Sequence, residues 1–325
     1  MLELQAHEHA RHVVVVGAGT MGVDIAAAFM AGGWTASLVE PRLESQASAR
    51  LRLERSLQML GKAGLEASFF NAIDEVPFQT MTYGLVIEAA PESLPVKQRV
   101  FAELAERAPI HFPLCSNSSA IPISTIGQGL AALSRMVGTH FFMPAHLVPG
   151  VEVISSNQTD PEVVSRVADD LRSAGRVPIM VKRDIPGFLV NRLQHALSRE
   201  AFHLIDQGIA TPADIDAAVR FGFGFRYLAA GPCLQRDHAG LDIHYAAGCS
   251  IYPDLCNDQQ PAKALKEKVD AGRYGMKVGH GFWSWDEETM DLERRRYEGV
   301  LLAASKLLEN EISRAVKPSS KPSHN

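Results

Sequence analysis

Six residues near the start of the chain, Gly17-Ala18-Gly19-Thr20-Met21-Gly22, have the types and spacing to hold a pyrophosphate. In such a string the first glycine makes a tight turn and the second lets the backbone approach phosphate oxygens. The third allows close contact between a helix and a strand. A helix starting there offers free N–H groups and the positive end of its dipole to an anion. Glu40 follows the next apolar run, where a carboxylate accepts hydrogen bonds from ribose hydroxyls. A 2′-phosphate there would meet an uncompensated negative charge, so NAD is expected rather than NADP. Arg42 works against that preference, and Glu40 read plainly is an acid at a strand end. His140, between Thr139 and Phe141, reads on its own as a packed histidine. Four cysteines, at 115, 233, 249 and 256, contain no C-x-x-C pair, so neither a zinc or redox motif nor any other metal site is expected.

The glycine string carries weight only with a strand before it and a helix after it. The four valines at 13–16 read as a buried strand, and a helical pattern runs over 20–32. A second strand is expected at 36–39, an amphipathic helix over 42–60 and a third strand at 85–87. A helix over 96–104 follows, then strands at 112–115, 136–138, 151–154 and 177–181. Such alternation argues for βαβ units about a parallel sheet. Beyond residue 182, Leu189, Leu193, Leu197 and Ala201 recur at helical spacing, with Gly208 placed to end the helix. Thr211-Pro212-Ala213-Asp214 starts another helix. The expected fold class is α/β: an N-terminal Rossmann-type doubly wound sheet over residues 1–183 and an all-helical domain over 184–316. The polar tail 317–325 is expected to be disordered.

Composition narrows the partners. The chain has 325 residues, enough for two domains, with 46% apolar and 21% charged side chains. Its net charge of -5 gives no basic excess for nucleic acid. Residues 1–10 lack the pattern of a signal peptide, and no apolar run reaches the ~18 residues of a membrane span. The few thiols fit a reducing compartment, so a cytoplasmic protein is expected.

Seven motifs in order give a resemblance over residues 13–285. They are GAGTMG at 17–22, VIEAAPESLPVK at 86–97, CSNSSAI at 115–121 and GTHFFMPAHLVPGVEVI at 138–154. DIPGFLVNRL at 184–193, GPCLQRDHAGLD at 231–242 and GRYGMKVGHGFWSW at 272–285 complete the set. In these the chain resembles the 3-hydroxyacyl-CoA dehydrogenase family. The resemblance implies a general base at His140 and a carboxylate at Glu152 that orients it. Imidazole suits proton removal near neutral pH, and a carboxylate on the far ring nitrogen fixes its tautomer. It further implies that Ser119 and Asn191 bind the substrate oxygen. Glu92 and Lys97 would hold the nicotinamide ribose, and Asn117 would pass beside the cofactor. Read without it, Ser119 is a helix N-cap, Asn191 a helix-surface amide, and Glu92 and Lys97 an exposed pair five residues apart. His146, His195 and His238 match no catalytic position and read as surface or core histidines. A homodimer formed through the helical domain is a further implication.

Two departures bear on the substrate. Met143 stands where the family usually has asparagine, which removes a polar contact and adds apolar volume near the substrate. The longer link 224–232 with Arg226 is similar to the branch containing lambda-crystallin and carnitine dehydrogenase. Arg226 either binds a substrate carboxylate through two parallel contacts or is a solvated arginine at a helix end. Arg50, Arg52, Arg55 and Lys62 either meet the phosphates of coenzyme A or form a solvated face. The expected reaction interconverts an L-3-hydroxy acid and its 3-keto form. A small acid outside coenzyme A is placed first and a short 3-hydroxyacyl-CoA second. A catalytically silent structural or NAD-sensing protein is the reading from another class.

Overall fold

The computed structural model describes residues 10–317. The expectations for residues 1–9 and for the tail 318–325 fall outside the described residues. Cα packing divides the chain into two units, at Val190/Asn191 and again at Ala304/Ser305, where the chain returns to the first unit. The first break falls later than the expected 183/184 boundary. A physical reason is that the N–H groups of Leu189 and Val190 are both held by Glu152 in the first unit.

The first unit is built on an eight-stranded sheet in the order β3-β2-β1-β4-β5-β6-β7-β8. Its strands are β1 (Arg11–Val16), β2 (Thr35–Val39), β3 (Ser68–Phe70), β4 (Tyr83–Glu88), β5 (Leu114–Ser116), β6 (Met136–Phe141), β7 (Gly150–Ile154) and β8 (Val177–Val181). The valine run of β1 is buried on both sides because alternate side chains point to opposite faces. Val13 and Val15 pack under α1 (Thr20–Ala31), α2 (Leu43–Met59) and α5 (Pro161–Ser173), through Phe29, Leu53 and Leu171. Val14 and Val16 join Phe101 and Leu104 of α3 (Leu94–Arg107) on the other face.

Every strand from β1 to β6 pairs in parallel. β7 then turns back antiparallel to β6, and β8 lies parallel to β7, so the sheet is mixed rather than wholly parallel. Residues 142–149 are too few for a crossover, which takes about a dozen, and a hairpin is the remaining way to pair β6 with β7. The expected third strand at 85–87 is β4. The strand missing from the sequence expectation, β3, has three residues at the sheet edge, none buried, too few to show an alternating pattern.

The second unit is helical. Its elements, after the short α4 (Ile123–Ile126) of the first unit, include α6 (Val190–Asp206), which begins at the boundary, α7 (Pro212–Ala217), α8 (Gly224–Arg226) and α9 (Pro232–Ala239). α10 (Leu241–Ile251), α11 (Lys263–Asp270) and most of α12 (Glu287–Leu307) follow, while α13 (Glu309–Ala315) lies in the returning segment. Gly208, at φ 67°, ends the first helix as the sequence implies. Thr211 and Asp214 form a reciprocal capping box at the start of α7. No described helix is long and apolar enough to cross a membrane.

Candidate active site

In an open parallel sheet, ligands bind beyond the carboxyl ends of the strands where the strand order reverses. That place lies here at the ends of β1 and β4, which are direct neighbours. Gly17 follows β1 with φ 106°, and a Cβ there would stand 2.6 Å from the Ala89 carbonyl oxygen. A Cβ on Gly22 would run into the Gly17 carbonyl oxygen. Both glycines are therefore required by the protein's own packing. Gly19 is different: its Cβ would meet nothing within 4 Å, and no side chain caps α1 there. An open surface above uncapped helix N–H groups fits a dinucleotide pyrophosphate, with Thr20 and Met21 as the flanking residues.

Glu40 directly follows β2 and is buried, with one carboxylate oxygen accepting from the Arg42 N–H at 3.2 Å and its Nε at 3.0 Å. Arg42 is thus drawn onto the carboxylate that it was expected to counter, and its side chain is 76% exposed.

The loops after β4 and β5 are tied by a buried network. Lys97, 1% exposed, donates to Glu88 Oε1 at 2.8 Å and Oε2 at 3.1 Å and lies 3.2 Å from Glu92 Oε2. Lys97 is not the exposed member of a surface pair: its ammonium is buried because Glu88, fully buried itself, neutralises it, and Ser116 Oγ adds a bond to Glu88. Nothing in the pattern of charges singles out Glu88, which sits in an apolar strand. Glu92 Oε1 accepts from Ser118 Oγ and from the N–H groups of Ser119 and Ala120. Burial would raise its pKa, but these bonds and Lys97 hold it below the usual carboxylate range. Ser119 is therefore carried on a loop shaped by Glu92. It is not an N-cap: the next helix starts at Ile123 with Pro122 before it, and Ser118 Oγ takes the Ile121 N–H. Asn117 uses Oδ1 to accept from the Phe141 N–H at 2.9 Å, which fastens the end of β5 to β6.

His140 lies near the carboxyl end of β6, directly opposite Glu152 in the antiparallel register with β7. The hairpin explains why twelve residues separate two side chains that touch. His140 Nδ1 is 2.7 Å from Glu152 Oε2, and Glu152 is fully buried. Glu152 Oε1 accepts from the N–H groups of Leu189 and Val190, each at 2.8 Å. Burial alone would push this carboxyl up; the bonds from His140, Val190 and Leu189 outweigh it and hold the pKa low. A permanently ionised partner keeps the proton of neutral imidazole on Nδ1 and leaves Nε2 as acceptor.

Two rings flank the imidazole, Phe142 edge-on at 4.8 Å and Phe188 at 5.8 Å between centroids. Phe188 is buried and has φ 48°, the one positive φ outside glycine among the described residues. For a bulky residue that conformation costs roughly 1–2 kcal/mol. Neither ring stands out in the sequence, since phenylalanine in an apolar segment signals core. Met143, two residues past His140's neighbour Phe141, is 64% exposed. His146 is a core histidine, with Nδ1 3.2 Å from buried Asp24, whereas His195 and His238 are exposed.

Asn191 and Arg226 belong to the second unit, in the first turn of α6 and at the end of α8. Among the described residues, the group that could hold an ion is His203, Cys256 and Asp258, of which Asp258 is open to solvent.

A dinucleotide cradle and a carboxylate-backed imidazole on one carboxyl edge define a nucleotide-dependent oxidoreductase. Residues 12–185 match the profile of the 3-hydroxyacyl-CoA dehydrogenase NAD binding domain, and residues 187–285 that of the C-terminal domain. The chain belongs to the 3-hydroxyacyl-CoA dehydrogenase family and is an NAD-dependent dehydrogenase acting on CH–OH. It is 34% identical to a 5-formyl-3-hydroxy-2-methylpyridine 4-carboxylate 5-dehydrogenase of Mesorhizobium japonicum, over 92% of this chain and 98% of the relative. It is 34% identical to L-carnitine dehydrogenase of Streptomyces griseus, over 72% of this chain and 71% of the relative. A solved structure of an enzyme of the first name, described as an NAD+ dependent dismutase, superposes with a TM-score of 0.85 at 32% identity, over 92% and 98% of the two chains.

Proposed function

We propose that this chain interconverts an L-3-hydroxy acid and its 3-keto form, with His140 as general base and a small carboxylic acid outside coenzyme A as substrate. The observation that carries the reading is the 2.7 Å contact between His140 Nδ1 and the buried Glu152 carboxylate. With Nδ1–H donating to Glu152, the lone pair of Nε2 takes the hydroxyl proton. The carboxylate then stabilises the imidazolium as it forms. The chemistry supplied by bound NAD is acceptance of the hydride from the same carbon. Phe142 and Phe188 shield the ring from water. Ser119 and Asn191 donate to the substrate oxygen, and Arg226 takes the substrate carboxylate. On the cofactor side the residues are the three glycines with Thr20, Met21 and Glu40, then Glu92 and Asn117, with Lys97 acting through Glu92.

Two observations support a small acid. Two relatives are named for a pyridine 4-carboxylate and for L-carnitine, and neither name mentions coenzyme A. Of the basic residues that would meet coenzyme A, Arg50 is already stacked on Phe69, 4.1 Å from the ring centroid.

The test is NADH formation against matched panels of L-3-hydroxy acids and short L-3-hydroxyacyl-CoAs, with His140→Asn as control. The small acids should be turned over, and the variant should lose about 10³-fold or more in kcat. Turnover of the thioesters alone would overturn the substrate class. Turnover of neither, with NAD still bound, would leave a structural or sensing protein.

A further inference from the structure

The second unit contains a cavity of about 480 Å³ at the junction of α8 and α9. Its polar lining consists of Arg226, Arg236, His238 and Gln235, and among the described residues no carboxylate lines it. Phe225 and three alanines make up the rest of the wall. Arg236 and Gln235 are half-buried neighbours on α9, while Arg226 and His238 are more open. Among the described residues neither guanidinium has a carboxylate partner. Gln235 Nε2 is closed off from solvent and has no hydrogen-bond partner.

These facts share one chemical consequence. A shielded amide donor without an acceptor is costly, and an acceptor brought within its reach recovers that cost. A guanidinium can only donate, and its planar fork matches the two oxygens of a carboxylate. The cavity thus gathers donors and leaves their acceptor to come from outside. Its alanine and phenylalanine wall suits the compact apolar body to which a carboxylate would be attached.

We infer that this cavity is an anion site in which Arg236 and Gln235, together with Arg226, receive the carboxylate of a small ligand. Arg236 and Gln235 are then specificity-determining residues that the sequence motifs do not assign. That the ligand is the enzyme's own substrate rests on the function proposed above; that the cavity binds a carboxylate does not.

The experiment is calorimetric titration of the full chain, saturated with NAD, using benzoate and succinate as carboxylate probes and inorganic phosphate as the tetrahedral control. At least one carboxylate should bind, and phosphate should bind at least tenfold more weakly than it. Arg236→Met and Gln235→Leu should each weaken carboxylate binding tenfold or more while the NAD titration is unchanged, which reports an intact fold. No carboxylate binding, carboxylate binding indifferent to Arg236→Met, or phosphate binding as tight as carboxylate would each overturn the inference. His140→Asn separates the two proposals, because it should abolish turnover and leave carboxylate binding intact. Failure of binding with hydroxy-acid turnover retained removes only the cavity assignment. Binding without turnover of any acid removes only the reaction.

Discussion

At the scale of single residues, Glu152 does two jobs with two oxygens. Oε2 faces the imidazole and Oε1 holds the chain at Leu189 and Val190. Glu152→Gln separates the two. The amide oxygen can still accept from the backbone, but the amide nitrogen then faces Nδ1 and favours the tautomer protonated on Nε2. A base with its lone pair turned inward is a poor base. We expect kcat to fall about 10³- to 10⁴-fold with the NAD affinity unchanged, measured by steady-state kinetics and NAD titration. The glycines allow a second contrast. Gly17→Ala forces a Cβ at φ 106° to within 2.6 Å of a backbone oxygen and should cost about 2 kcal/mol or more in a denaturant melt. Gly19→Ala meets nothing in the protein, so its melt should be unchanged while NAD binding weakens tenfold or more. Equal NAD affinity in Gly19→Ala would remove the pyrophosphate from that turn.

Between elements, α5 reaches the sheet through Asp170, which is 3% exposed and accepts a hydrogen bond from the Tyr83 hydroxyl at 2.6 Å. Burial pushes its carboxyl up from 3.8 to about 6, against the lowering effects of Tyr83 and Arg166. Over that window the folded chain holds a proton that the unfolded chain has released. Stability from this group therefore falls as pH rises, by up to ~3 kcal/mol once the carboxylate is ionised. Asp170→Asn keeps an acceptor for Tyr83 and cannot ionise. Between pH 4 and pH 6.5 the stability of the native chain should decline relative to the variant, measured by paired urea melts. Parallel curves would show that folding leaves the Asp170 pKa where it is in the unfolded chain. The same scale accounts for the strain at Phe188. The chain can hold a bulky residue at φ 48° because Glu152 grips the two peptide N–H groups that follow.

For the whole molecule, the apolar stripe of α6 bears on assembly. Leu193 and Leu197 are 59% and 40% exposed, and Tyr245 of α10 is 76% exposed. Uncovered apolar faces of this kind are what a second copy buries. Light scattering should give a mass of twice the chain's 35.4 kDa, and Leu193→Asp should return it to one chain. A single-chain mass for the native protein would remove the dimer. What sequence alone determined about this enzyme was local: a four-valine strand, glycines at fixed offsets, a helix closed by Gly208 and reopened by Thr211. Each of these signals lies within a few neighbouring residues, and so each is legible in order along the chain. The His140–Glu152 pair was legible only through the motif that carries it, because twelve residues of spacing say nothing until β6 and β7 fold back on each other. The direction of β7, the short edge strand β3, the burial of Lys97 against Glu88 and the rings around His140 were decided by the tertiary structure. Their partners are distant in sequence, and an isolated lysine or phenylalanine looks the same in a solvated face, a core or a site until packing excludes water around it.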